Sequence, residues 1–217
     1  MDYVIVMADI LQSREKDANE LMLEFKETVK HINDNWQTNI ISPLTITLGD
    51  EFQAIIDTVE NAVNIIIEIE EFMLAKEFTF KLRYVLNFGK IETEINREIA
   101  HEMLGEGLTD ARKALTDLKN SESRFLIKFK KEDWRIEKML NDTFKIFQYY
   151  TDSWKANDYR IASDFIRHDD YKVIADKLGI NRSTAWRRRK SLNIEEFETV
   201  KRIINNLTYL YEHGLSK

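Results

Sequence analysis

The chain has 217 residues, 43% of them hydrophobic and 32% charged, with a formal net charge of −6 and no cysteine. That balance suits a packed core and argues against disorder, while the missing cysteine excludes disulfides, thiolate metal sites and cysteine nucleophiles. Charge is unevenly spread: residues 1–132 carry 16 basic and 25 acidic side chains, and residues 133–217 carry 16 and 13, so the two parts are expected to meet different partners.

The first apolar run, Tyr3-Val4-Ile5-Val6-Met7-Ala8, reads as a buried strand that ends on Asp9. Residues 16–38 then carry Leu21, Phe25, Val29, Ile32 and Trp36 at helical spacing. Ser42-Pro43 is expected to break the chain ahead of a hairpin at 44–56, whose tip is Gly49-Asp50-Glu51. A second helix covers 58–76 with Thr58 as its N-cap, and 78–88 alternates as a strand with Phe78, Phe80, Leu82, Tyr84, Leu86 and Phe88 on one face. After a polar stretch, 107–119 is helical and Phe125–Phe129 is the last strand. The order β-α-β-β-α-β, then helix and strand, predicts an α+β, ferredoxin-like, palm-type antiparallel sheet with helices on one face. The opening residues lack the basic region of a signal peptide, and no apolar run is long enough for a membrane span. A cytoplasmic protein without a membrane partner is expected.

A strand-end acid and a hairpin acid pair meet when these strands are neighbours. Asp9, Asp50 and Glu51 are therefore candidate ligands for Mg2+ or Mn2+, which take hard oxygen donors and leave room for phosphate oxygens. Gly49 suits a turn that needs positive φ.

Leu48-Gly49-Asp50-Glu51-Phe52 differs by one residue from the GGDEF motif of diguanylate cyclases, and residues 46–54 resemble the hairpin of class III nucleotidyl cyclases. The chain is most similar to the SatD family over roughly its first 130 residues. Three elements carry that similarity in order: Asp9-Ile10-Leu11-Gln12-Ser13-Arg14, then Gly49-Asp50-Glu51-Phe52-Gln53, then Gly105 followed by Ala111-Arg112-Lys113-Ala114-Leu115. The resemblance implies a cyclase-like domain that binds a nucleotide, with Ser13, Arg14, Gly49 and Arg112 near its phosphates. A guanidinium fork matches phosphate oxygens in pairs. Leu44, Leu48 and Leu108 stand where active cyclases carry base-reading, turn and transition-state residues, which argues against purine cyclisation.

From residue 133 onward the pattern is helical throughout. Residues 133–157 read as a linking helix and 158–217 as a small all-α helix-turn-helix domain. Ala175 lies four residues before Gly179, the spacing of that motif, and Lys177–Ile194 holds six basic residues and no acid. The second helix presents Arg182, Ser183, Thr184, Arg187, Arg188 and Lys190 to double-stranded DNA, with Trp186 expected in the core. The apolar stripe of 194–210 covers this unit or pairs with its twin in a homodimer. Together these features describe a DNA-binding transcriptional regulator whose first domain holds a metal–nucleotide or other effector. The alternative is a metal-dependent nucleotidyltransferase or cyclase-like enzyme tethered to nucleic acid.

Overall fold

A computed structural model describes residues 1–11, 17–168 and 170–214. Five strands, β1 (Asp2–Ile10), β2 (Ile40–Ile46), β3 (Glu51–Ile56), β4 (Leu82–Lys90) and β5 (Phe125–Lys128), form one sheet in the order β2-β3-β1-β4-β5. Among the described residues eight α-helices accompany it: α1 (Ala18–Asn35), α2 (Val59–Ala75), α3 (Glu106–Leu118), α4 (Trp134–Ser153), α5 (Ala156–Arg167), α6 (Tyr171–Leu178), α7 (Arg182–Ser191) and α8 (Ile194–His213).

The first four strands make the expected ferredoxin-like unit, with β1 central and antiparallel to both β3 and β4. Two features of the expectation are corrected. β5 joins β4 in parallel, so the sheet is mixed. Helices also cover both faces. Val4, Val6, Ala8, Phe52, Ala54, Tyr84 and Leu86 face the core under α1 and α2, whereas Ile5, Met7, Ile55 and Val85 face α3. A parallel β4–β5 pair requires a crossover, and α3 is that crossover. Ser42-Pro43 does not break the chain but lies inside β2, where the register shifts on either side of Ser42. β2 is the sheet edge, the position that tolerates proline and a bulge.

Glycine sets the height of α3 above the sheet. A Cβ on Gly107 would lie 2.6 Å from the carbonyl carbon of Gly89 and 2.8 Å from the nitrogen of Lys90, so helix and strand touch backbone to backbone. Asn87 fixes the contact by donating to the Gly107 carbonyl at 2.9 Å. Gly107→Ala is expected to force the two apart and cost about 1–3 kcal/mol, read as a lower denaturant midpoint.

The helices after β5 do not stand apart as a linker and a small domain. Leu140, Phe144, Phe147, Trp154, Phe165, Phe197 and Ile204 lie in the same buried cluster as the sheet residues Tyr84, Leu86 and Phe125. Phe125 stacks on Tyr84 and on Phe144, with ring centroids 5.2 and 5.0 Å away. Arg124, 3% exposed, pins the layers together. Its guanidinium donates to both carboxylate oxygens of Glu70 on α2 at 3.0 and 2.9 Å and to the Leu82 carbonyl at 2.7 Å. It also reaches Asp152 and the Thr151 hydroxyl on α4, at 3.0 and 3.2 Å. The Tyr84 hydroxyl donates to Glu70 at 2.9 Å, completing a satisfied buried network.

Burial alone would raise the Asp152 carboxyl, but Arg124 and Lys81 outweigh it and hold it below the usual aspartate range. A depressed carboxylate stabilises the fold above its unfolded value, about 3.9, and loses that contribution as pH falls through the folded value. Asp152→Asn is therefore expected to melt below the parent at pH 7, with the gap closing in scans taken below about pH 4.

Candidate functional site

Strand register builds a transverse row of charge. Asp9 on β1 is paired with Glu51 on β3 and with Arg83 on β4. Alternation turns all three side chains toward α3, the face that also carries Ile5, Met7, Ile55 and Val85. The contact of Gly107 with Gly89 then decides which part of α3 covers the row. From Gly107 to Lys119 a helix advances about 18 Å, close to the roughly 20 Å that a strand covers between Gly89 and Arg83. Because α3 runs back along β4, its C-cap residue Lys119 arrives over Asp9.

Asp9 is 2% exposed, and both of its carboxylate oxygens face cations. Lys119 Nζ lies 3.1 Å from Oδ2, and Arg83 Nε lies 3.5 Å from Oδ1. Arg112, seven residues before Lys119 on the same side of α3, pairs with Glu51. Among the described residues two buried atoms of the row have no hydrogen-bond partner, Asp9 Oδ1 and Arg83 Nη1. Buried polar atoms are nearly always satisfied, so an orphan acceptor beside an orphan donor marks a place where a further partner would be accommodated. Burial raises the Asp9 carboxyl above the ordinary aspartate range, with Asp50 adding to the rise and Lys119 and Arg83 opposing it.

The hairpin supplies the wall of the site. Gly49 has φ +87°, the left-handed conformation a tight turn requires, and the Asp50 carbonyl accepts from the Ile10 amide at 2.9 Å. Of the residues expected at the site, Asp9, Gly49, Asp50, Glu51 and Arg112 come together at this end of the sheet. Ser13 and Arg14 lie outside the described residues. Arg83 and Lys119 were not anticipated. Arg83 is the basic residue on the far face of an apolar strand, and Lys119 shares a helix face with Arg112; both signals were present.

The acids fit a divalent cation poorly as they are placed. An ion on the Asp9 carboxylate would stand about 4 Å from the Lys119 ammonium, where each pair of unit charges repels by about 4 kcal/mol at an effective dielectric of 20. The Glu51 carboxylate is engaged by Arg112. Among the described residues no group of three or more His, Asp or Glu side chains is disposed to hold a metal ion.

A model of the SatD family matches residues 3–208. The chain belongs to the SatD family. The match runs through α4–α7 and most of α8 as well as the sheet, in keeping with one shared core for this SatD chain. No curated protein matches it. Among the solved structures similar to it are three that each overlap 58% of the chain. They are a bacterial light-regulated adenylyl cyclase, with 14% identity, 74% of its chain covered and a TM-score of 0.41; the guanylate cyclase domain of RhGC from Catenaria anguillulae in complex with GTP, with 16%, 77% and 0.41; and the dimeric guanylyl cyclase domain of the RhoGC fusion protein from Blastocladiella emersonii, with 16%, 80% and 0.42. At these scores the overlap is partial.

The second expected site fares differently. Gly179 takes a left-handed conformation after α6 (φ 63°), and Ile174, Ala175 and Ala185 are buried between α6 and α7. The pair packs into the common core and does not form a separate domain. Most cations of α7 already face acids: Arg188 pairs with Asp158, Arg189 and Lys190 with Glu195, and Arg182 lies 3.8 Å from Asp176. The guanidinium of Arg187 folds back onto the Ser183 carbonyl and the Thr184 hydroxyl. Trp186 is 49% exposed, correcting the expectation that it fills the core. No helix among the described residues is long and apolar enough to cross a membrane.

Proposed function

We infer that the chain binds a phosphate-bearing nucleotide at the Glu51–Asp9–Arg83 row, beneath α3 and beside the Gly49–Asp50 turn. The observation that carries this reading is the convergence of three cations on one buried carboxylate and its neighbour, with an orphan donor and acceptor between them. Arg112 and Lys119 keep 40% and 47% of their side chains exposed, so their outward N–H groups are open to phosphate oxygens while their acids hold them in place. Asp9, Asp50 and Glu51 lie at the same strand ends, which supports nucleotidyl transfer as the reaction to look for once a ligand is bound. A thermal-shift screen with nucleotides, repeated with Mg2+ and Mn2+, tests the reading. A rise in melting temperature that disappears in Arg112→Ala is the expected result, and no rise with any nucleotide under any metal condition rejects it.

A second reading is favoured by one observation on α7. Arg182, Ser183, Trp186, Arg187 and Lys190 are exposed, at spacings that place them along one side of the helix. Such a face suits the phosphates of double-stranded DNA, although the acid partners of Arg182 and Lys190 weaken its field. Duplex binding at low salt, lost in the Arg187→Ala, Lys190→Ala double variant, is the expected gel-shift result. Binding unaffected by that variant, or no binding at all, removes the reading. A homodimer is a further expectation, to be settled by sedimentation.

A further inference from the structure

We propose that the Lys119 ammonium, backed by the Arg83 guanidinium, stands in for a divalent cation at Asp9, so that the site takes the phosphate of a nucleotide directly and without metal. The inference rests on the nucleotide reading above and adds what neutralises the phosphate. Four observations on this chain support it. Asp9 is almost wholly buried, yet each of its oxygens already faces a nitrogen cation, at 3.1 and 3.5 Å. Those cations come from fixed positions, the interior strand β4 and the C-cap of a helix whose height is set by backbone contact at Gly89 and Gly107. The next acid in the row, Glu51, is likewise held by Arg112. Lys119 and Arg112 are nonetheless about half exposed, so each has N–H groups left for a ligand.

The chemistry is that of a charge-assisted hydrogen bond. A metal ion in such a place bridges carboxylate and phosphate, neutralising both. An ammonium with three donors does the same on a smaller scale: one N–H faces Asp9 and the others face the phosphate. Arg112 does so beside it through Glu51. The carboxylates thus act here as anchors for cations. The phosphate meets nitrogen donors instead of a hydrated ion.

Calorimetric titration of the 217-residue chain with ATP, GTP and their 5′-monophosphates, in EDTA and again in Mg2+ or Mn2+, tests this. The tightest of these ligands is expected to bind in EDTA within about twofold of its affinity with metal, and Lys119→Ala is expected to weaken binding in EDTA about tenfold, the worth of one charge-assisted bond. Removing Lys119 also frees Oδ2 of Asp9, so Mg2+ or Mn2+ alone should raise the melting temperature of Lys119→Ala and leave the parent unchanged. Binding by the parent that requires a divalent ion overturns the proposal and leaves the nucleotide reading standing, as does undiminished binding by Lys119→Ala in EDTA. No binding in either medium removes the nucleotide reading itself.

Discussion

Replacing Arg124 by alanine is expected to destabilise the chain by about 3–5 kcal/mol, the typical cost of removing one partner from a buried ion pair. Glu70 and Asp152 would be left facing each other's charge, and Glu70 would keep only the Tyr84 hydroxyl as a donor among the contacts described. Burial alone would lower the ionisation of Arg124, yet Glu70 and Asp152 reverse the effect and keep the guanidinium charged. For a domain of this size the loss corresponds to a melting temperature lower by about 10 °C. Because Tyr84, Phe125, Phe144 and Phe147 still pack the sheet against α4, the transition should remain single: all layers fall together. Separate sheet and helical transitions in Arg124→Ala would show that Arg124, and not the aromatic core, couples the layers.

A chain ending at Lys130 is expected not to fold. The face of the sheet that carries Tyr84 and Phe125 would lose Phe144 and Phe147, and Met73 and Phe80 would lose Trp154, Tyr159 and Phe197, which face them across a narrow cleft. Exposing these four large side chains costs about 1.5–3 kcal/mol each, a total comparable to the 5–15 kcal/mol by which a domain is stable. The Arg124 network adds to the loss, since Asp152 and Thr151 both lie on α4. Circular dichroism of residues 1–130 is expected to show no cooperative melting. A sharp transition in that fragment would mean that the sheet is an independent unit after all.

How much of this was legible in the residues depends on how local the signal is. The core strands were clear because alternation writes the buried face of a strand directly into the sequence, as in Leu82, Tyr84 and Leu86. The acids were clear for a related reason: Asp9 ends an apolar run, and Gly49-Asp50-Glu51 interrupts one. Arg83 was passed over because a polar residue on the other face of a strand is ordinary, and its meaning depends on the register that sets it beside Asp9. Lys119 was hidden at a helix end, its role fixed by a glycine contact twelve residues earlier. Pro43 read as a break because nothing nearby announces an edge strand. The division at residues 130–133 was misplaced because a change of surface charge looks like a boundary, whereas the contacts that unite the chain belong to Phe125, Phe144 and Phe197, and apolar stripes do not name their partners. The basic run on α7 misled in the same way, since Asp158, Asp176 and Glu195 reach it from other elements or from beyond its ends.

The central claim is a place as much as a ligand: a nucleotide phosphate seated on the row Glu51–Asp9–Arg83 under the last turns of α3. Hydrogen–deuterium exchange of the 217-residue chain, with and without saturating ATP or GTP, tests it most directly. Slower exchange is predicted at the end of β1 around Ala8–Ile10, at the Gly49–Glu51 turn and over Arg112–Lys119. Unchanged exchange at these three segments, or protection confined to α6 and α7, would contradict it.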